Sequence, residues 1–140
     1  MGSYVRSCAS VLVVAAVAGC ATYWPTIDGN SRASAEDTYR CAKEQAAHYG
    51  FKPITWNDGQ MSFDARRADT TATKDLPGEQ RQHDLLRVQV KRPSVGAGSS
   101  MSVRAETVIE RFSREGWVSN NVPASAGATD AARQLIKQCS

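Results

Sequence analysis

Residues 34–50 carry the pattern of an amphipathic helix. Small and aromatic side chains recur there at intervals of four, three, four and three positions: Ala35, Tyr39, Ala42, Ala46 and Tyr49. This spacing places them on one stripe, and the small residues allow that stripe to lie close against a sheet. Ser34 is suited to cap the start of the helix, and Gly50 is suited to end it.

Four later segments are predicted as β-strands, and apolar and polar residues alternate with a period of two in the last three of them. They are residues 51–56, 61–66, 83–91 and 101–109. The turn residues 57–60 join the first two segments as a hairpin. The alternation places Phe63 and Val88 on a buried face and Arg87 on a solvated face. Arg87→Ala is therefore expected to change the free energy of unfolding by under about 0.5 kcal/mol.

A second helix is predicted from about Ser125 or Thr129 to Gln138, because apolar residues again follow a helical spacing there. Residues 105–112 would also suit a helix that ends at Gly116, but the strand is preferred for them. The predicted fold class is α+β, with residues 34–140 as one small domain. In it a helix, a four-stranded antiparallel meander and a second helix follow in order, with both helices on one face of the sheet.

In two segments the apolar residues do not recur at the spacing of a helix or a strand. Residues 20–33 contain Pro25, Gly29 and Asn30, so we expect an extended tether there. Residues 67–82 are sixteen mostly polar residues, which is longer than a compact domain usually allows without function or disorder. Disorder is the expectation for them, with a role in contact as the alternative.

The first twenty residues have a different composition from the rest of the chain. Arg6 is followed by an uncharged run from Cys8 to Gly19, which is typical of a signal peptide. The run is short for a permanent transmembrane span, which needs roughly 20 apolar residues. It ends in Val17-Ala18-Gly19-Cys20, and this tetrapeptide resembles the lipobox of bacterial lipoproteins.

The lipobox resemblance implies an anchor and a location. It implies that residues 1–19 are a signal peptide, that cleavage precedes Cys20, and that Cys20 is acylated. Several acyl chains on one residue hold a protein stably, whereas a single chain binds a bilayer only marginally. Ala21 follows the lipidated position, and by the sorting rule of this family it implies the outer membrane. The bilayer is therefore an expected partner, with the domain facing the periplasm.

Delivery to an oxidising envelope predicts one disulfide. Removal of Cys8 and acylation of Cys20 leave Cys41 and Cys139, each on a predicted helix. Two helices on one sheet face could bring these cysteines together. A redox-active pair is the alternative, although the C-x-x-C spacing is missing.

Composition and charge narrow the function classes. The chain has 140 residues, of which 22% are charged and 41% hydrophobic, and this suits one small domain. Its formal net charge of +3 is spread without a basic block, so a nucleic-acid partner is not expected. The motifs of nucleophilic catalysis and of zinc proteases are not found, so we expect neither an enzyme nor a cofactor.

Two chemical alternatives stay open. Cys41, Glu44 and His48 share a helical spacing that could aim them at a metal, but further ligands are not evident and no metal site is expected. Asp64 and Glu106 could act as paired carboxylates in a lipid-anchored periplasmic hydrolase. Such an enzyme would be indicated by a cleft that gathers Asp64, Glu106 or His83 with strongly perturbed pKa values. Cross-strand ion pairs with neighbouring arginines explain these carboxylates adequately.

The solvated sheet face is the candidate interaction surface. Its basic residues are Arg66, Arg87, Lys91 and Arg104. They could contact anionic lipid or an acidic envelope protein, and a merely solvated face is the alternative. The sequence thus predicts a membrane-anchored envelope lipoprotein that serves as a binding or structural module with no identifiable catalytic activity.

Overall fold

The chain folds into six strands and two helices. A computed structural model describes residue 24, residues 26–68 and residues 80–140. The expected signal peptide and Cys20 lie outside these residues. The elements are β1 (Thr26–Ser31), α1 (Ala35–His48), β2 (Lys52–Asn57), β3 (Ser62–Ala68), β4 (Gln80–Lys91), β5 (Ser99–Ser113), β6 (Gly116–Val122) and α2 (Ala126–Cys139).

All six strands pair antiparallel in one sheet. Five of them follow the order β1-β5-β4-β3-β2, and β6 also pairs with β5. β1 pairs with residues 99–104 of β5, and β6 pairs with residues 107–113. The two short strands therefore lie end to end along the same side of β5, and β2 forms the opposite edge of the sheet.

The predicted four-stranded meander flanked by helices is wrong. The domain is mostly β, because two further strands join the sheet. β1 lies within the predicted tether, and β6 lies between the last predicted strand and the second helix. β6 is largely exposed, so pairing with β5 holds it in the sheet, whereas every second residue of β1 is partly buried and Ile27 packs against the core.

The strands on either side of the long polar segment are also longer than predicted. Arg67 and Ala68 belong to β3, and residues 80–82 belong to β4. Residues 69–79 lie outside the described residues. The strand preferred for residues 105–112 is confirmed as part of β5.

Gly29 shows how closely α2 approaches the edge strand β1. A Cβ at this position would lie 2.4 Å from Ser140 Oγ and 2.6 Å from Ile136 Cγ2. Both distances are far below van der Waals contact, so a larger residue would force the side chains of Ile136 and Ser140 to shift. The residue that made this segment resemble a loop thus allows the helix to pack closely on β1.

Both helices begin at serine caps. Ser34 Oγ accepts a hydrogen bond from the backbone N–H of Asp37 at 3.1 Å. Ser125 Oγ accepts one from the backbone N–H of Ala128 at 3.0 Å. These bonds satisfy donors that have no partner within the first helical turn. The predicted start of α1 at Ser34 is confirmed, and of the two starts left open for α2 the structure has the one at Ser125.

One hydrophobic core lies between the two helices and one face of the sheet. Alternate strand residues contribute Phe63, Val88 and Val103, and α2 contributes Leu135. The expected burial of Phe63 and Val88 is confirmed. We call this side of the sheet the covered face and the other side the open face.

Candidate functional site

The open face carries all four predicted interaction residues. The strand register places alternate residues of neighbouring strands on this face in rows that cross the sheet. Its charged residues are Asp28, Lys52, Asp64, Arg66, Arg81, Arg87, Lys91, Arg104, Glu106 and Glu110. Basic side chains outnumber acidic ones, so the face suits an anionic ligand.

The structure brings two of those four residues together. Arg87 of β4 and Arg104 of β5 are register partners, and both side chains are about half exposed. Arg66 lies in the next open-face row, beside Leu85, and Lys91 lies two rows away in the opposite direction. The predicted surface therefore consists of one close pair, which we call the arginine pair, and two outlying residues.

A buried carboxylate lies beside the arginine pair. The Glu106 side chain is only 1% exposed although it belongs to the open face. Its Oε1 lies 2.7 Å from Arg104 Nε and 3.5 Å from Arg87 Nε, and its Oε2 accepts a hydrogen bond from Asn121 Nδ2 at 3.0 Å. The Arg104 Nε–H is not directed at the carboxylate, so this short contact is ionic. Glu106 offsets the repulsion between two like charges on facing strands.

A shallow depression of about 360 Å³ adjoins the arginine pair. Its lining residues are Thr26, Ser62, Asp64, Arg87, Val88, Gln89, Ser102 and Arg104. Guanidinium, hydroxyl and amide groups supply donors, and Asp64 supplies the one carboxylate of this lining. Guanidinium groups held in place can contact a carboxylate or a phosphate through two parallel hydrogen bonds.

Trp24 connects the arginine pair to the amino-terminal part of the chain. The centroid of its ring lies 5.4 Å from Arg104 Cζ. β1 begins two residues later, with Thr26 opposite Arg104 in the register. The first described residue after Cys20 therefore packs against the arginine pair.

His83 lines a second depression on the open face, of about 250 Å³. The other lining residues are Arg66, Ala68, Arg81, Gln82 and Glu110. Burial lowers the pKa of His83, while the nearby Glu110 opposes this shift and Arg66 reinforces it. The imidazole is therefore held neutral at neutral pH.

The three groups of the hydrolase alternative lie at separate places on the open face. Asp64 lines the depression beside the arginine pair, and His83 lines the second depression. Glu106 is enclosed by Arg87, Arg104 and Asn121 and lines neither of these two depressions. The described depressions thus do not gather the three groups into one cleft.

The far end of the open face is aromatic. Phe112 and Trp117 face each other across the hairpin of β5 and β6, and their ring centroids lie 5.4 Å apart in an edge-on arrangement. Phe112 is 56% exposed and Trp117 is 39% exposed. Arg81 Cζ lies 4.1 Å from the centroid of the Trp117 ring. We call these three residues the hairpin tip, and sequence reasoning missed them because it did not find β6.

A second polar cluster lies on the covered face and was also missed. Asp84 is buried, and its Oδ2 accepts a hydrogen bond from Arg67 Nη2 at 3.0 Å. Its Oδ1 accepts hydrogen bonds from the hydroxyls of Thr107 and Ser125, each at 2.8 Å. Arg67 also donates to the backbone carbonyl of Tyr49 at 3.1 Å. This cluster links both helices to the sheet, and its groups already have protein partners.

The predicted disulfide between Cys41 and Cys139 is confirmed. It joins α1 to α2, with the two Cα atoms 5.7 Å apart and a sequence separation of 98. A bonded Cys41 sulfur is not free to bind a metal with Glu44 and His48. Within the described ranges, no three His, Cys, Asp or Glu side chains are grouped as a metal site would require.

Comparison with known proteins does not assign the chain to a family. No protein-family model matches the chain, and a search of curated proteins finds no significant match. Neither helix in the described part of the chain is long and apolar enough to cross a bilayer. The open face is therefore the feature from which function is inferred.

Proposed function

We propose that the protein is a membrane-anchored envelope lipoprotein whose domain binds an anionic group through the open face of its sheet. Acylated Cys20 is the anchor, and the domain lies on the periplasmic side of the outer membrane as a binding module without catalytic activity. The lipobox that ends at Cys20 supports the anchor. The disulfide between Cys41 and Cys139 suits an oxidising envelope.

The observation that carries the proposal is the buried Glu106 carboxylate beside two half-exposed arginines. Exposed arginines on a merely solvated face are mobile, and their ion pairs contribute little. Here the buried carboxylate restrains both guanidinium groups and leaves part of each facing solvent. Binding an anion then costs less side-chain entropy, because the two donors are already oriented.

The composition of the depression supports a phosphate or carboxylate group as the ligand. Register partners have Cβ atoms about 5 Å apart, so Arg87 and Arg104 can contact one anion together. Ser102 and Gln89 add neutral donors at the same place. Asp64 reduces the local positive charge, which favours a singly charged group such as a phosphodiester or a carboxylate over a highly charged polymer.

Site-specific photo-crosslinking in intact cells tests this proposal. A photoreactive amino acid at Gln89, which is exposed and lines the depression, should give adducts with lipid or protein of the envelope. The same probe at Arg133, which is exposed on α2, is the matched control and should give few adducts.

Charge variants complete the test. The double variant Arg87→Gln with Arg104→Gln should abolish the adducts formed at position 89. The control variant Arg40→Gln with Arg133→Gln removes the same charge from the helices, and the adducts at position 89 should be unchanged. Equal adduct yields at positions 89 and 133, or adducts that survive loss of the arginine pair, would contradict binding at the open face.

A further inference from the structure

We infer that the open face binds the bilayer surface, and that Phe112 and Trp117 of the hairpin tip enter the lipid headgroup region. This inference rests on the proposed function, because it identifies the anionic group as a lipid phosphate. The inference adds a second contact with the membrane, made by the aromatic residues at the end of the open face that is far from the arginine pair.

The chemistry of the hairpin tip fits a membrane interface. Amphipathic aromatic rings concentrate at the level of lipid headgroups, where one part of the ring is apolar and another part stays hydrated. Phe112 and Trp117 leave much of their ring surface exposed, which is uncommon for two adjacent aromatic residues of a small domain. Arg81 stacks on Trp117, and a stacked guanidinium keeps its N–H donors available to a phosphate.

The position of the anchor favours the bilayer over other occupants. Trp24 contacts Arg104 on the open face and is the fourth residue after Cys20. A fully extended chain covers at most about 3.5 Å per residue, so Cys20 can lie no more than about 14 Å from Trp24. The acyl chains are therefore attached close to the open face, while the helices occupy the other side of the sheet.

The same geometry allows the hairpin tip and the anchor to reach one lipid surface. Arg104 and Phe112 are eight residues apart on β5, which is about 26 Å along a strand. If the bilayer surface touches Phe112 and also holds Cys20, it passes within about 14 Å of Trp24. A separation of about 14 Å over about 26 Å of strand corresponds to an angle of about 30° or less between the bilayer surface and the sheet. At this inclination Arg81 and Arg66 come within about one Debye length, roughly 10 Å, of the lipid phosphates.

The three tryptophans of the chain provide a test with an internal control. Trp24→Phe with Trp56→Phe leaves Trp117 as the only tryptophan, which can be excited selectively over the tyrosines. Trp24→Phe with Trp117→Phe leaves Trp56, which is 65% exposed on the edge strand β2 at the opposite side of the sheet. Each full-length protein, purified from membranes, is reconstituted into vesicles of phosphatidylethanolamine and phosphatidylglycerol with brominated acyl chains.

The inference predicts a clear difference between these two tryptophans. Trp117 emission should shift to the blue and be quenched about twofold or more by the brominated lipid, because its ring sits at the interface. Trp56 should keep its emission wavelength and most of its intensity. Arg81→Gln should reduce the quenching of Trp117, as should replacement of phosphatidylglycerol by a zwitterionic lipid.

The other outcomes separate this inference from the proposed function. Equal quenching of Trp56 and Trp117 in vesicle-bound protein would overturn the hairpin-tip contact and leave the anchor intact. Protein that neither sediments with vesicles nor shows quenching would overturn both. A blue shift of Trp117 that grows with protein concentration in the absence of lipid would place a second copy at the tip and overturn the lipid assignment.

Discussion

Asp84 Oδ1 accepts a hydrogen bond from the hydroxyl of Ser125, the residue that caps α2, at 2.8 Å. The same hydroxyl accepts a hydrogen bond from the backbone N–H of Ala128, and the backbone N–H of Ser125 donates to Thr107 Oγ1 at 2.8 Å. One buried carboxylate on β4 therefore fixes where α2 begins relative to the sheet.

Loss of this carboxylate should destabilise the domain strongly. Asp84→Ala leaves Arg67 without its ionic partner and the hydroxyls of Thr107 and Ser125 without their acceptor, so we expect a loss of about 3–5 kcal/mol. Asp130→Ala removes an exposed carboxylate from α2 and should change stability by less than about 0.5 kcal/mol. Urea unfolding of both variants measures the difference. Similar midpoints for the two would contradict the role assigned to Asp84.

The arginine pair should show a non-additive effect on stability. A fully solvated Arg87 would contribute less than about 0.5 kcal/mol, but its contact with the buried Glu106 raises the expected cost of Arg87→Ala to about 1 kcal/mol. Arg104 still balances Glu106 in that variant. Removal of both arginines leaves the carboxylate unpaired and should cost about 3 kcal/mol or more.

A double-mutant cycle checks this prediction. The control cycle replaces Arg40 and Arg133, which pair with separate exposed carboxylates, and should be additive. Additive losses at Arg87 and Arg104 would show that Glu106 does not couple them.

The lowered pKa of His83 predicts a loss of stability in mild acid. The folded domain keeps His83 neutral, whereas the unfolded chain takes up a proton near pH 6.5. The contribution of His83 is therefore fully present above about pH 6.5 and is lost as the pH falls through the lower pKa of the folded state.

Thermal unfolding between about pH 7 and pH 5 measures this contribution. His83→Gln should weaken the pH dependence, and His48→Gln at the exposed end of α1 controls for the loss of an imidazole. An unchanged slope in His83→Gln would contradict the assignment.

The disulfide should be a major source of stability for so small a domain. Closing a loop of this length is worth about 4–5 kcal/mol in the chain-entropy model. Cys41→Ser with Cys139→Ser should lower the unfolding midpoint accordingly, and a reductant should have the same effect on the natural chain but none on the double variant. Labelling of free thiols at both positions in unreduced protein would refute the bond.

The sequence was sufficient where structure depends on near neighbours. Ser34 marks the start of α1 because a cap acts on residues two or three positions away. The alternation around Val88 determines which strand residues face the core because side chains of a strand alternate by geometry. The disulfide followed from the number of cysteines and their places on the helices.

The two missed strands lacked a sequence signal for different reasons. Gly29 lowers strand propensity, so β1 resembles a tether until the distant β5 pairs with it and α2 packs over it. β6 forms a local hairpin with β5, in which Ser113 lies opposite Gly116, but its residues are almost all exposed. It therefore lacks the alternation of apolar and polar residues from which strands were predicted.

The Asp84 cluster had a signal that could have been used. Arg67 is in phase with Ala65 on β3, and Asp84 is in phase with Leu86 on β4, so the alternation places both charges on the covered face. Two opposite charges at buried positions on adjacent strands indicate a buried ion pair. The burial of the Glu106 side chain could not be predicted in this way, because the alternation assigns this residue to the open face.

Intact-mass measurement of the protein extracted from cell membranes tests the central claim most directly. A membrane-anchored lipoprotein should begin at Cys20, lack residues 1–19, and carry the added mass of a diacylglyceryl group on the Cys20 sulfur. Cys20→Ser should accumulate as an uncleaved chain that begins at Met1. Unacylated protein that begins elsewhere, or normal membrane-bound mature protein from Cys20→Ser, would contradict the account.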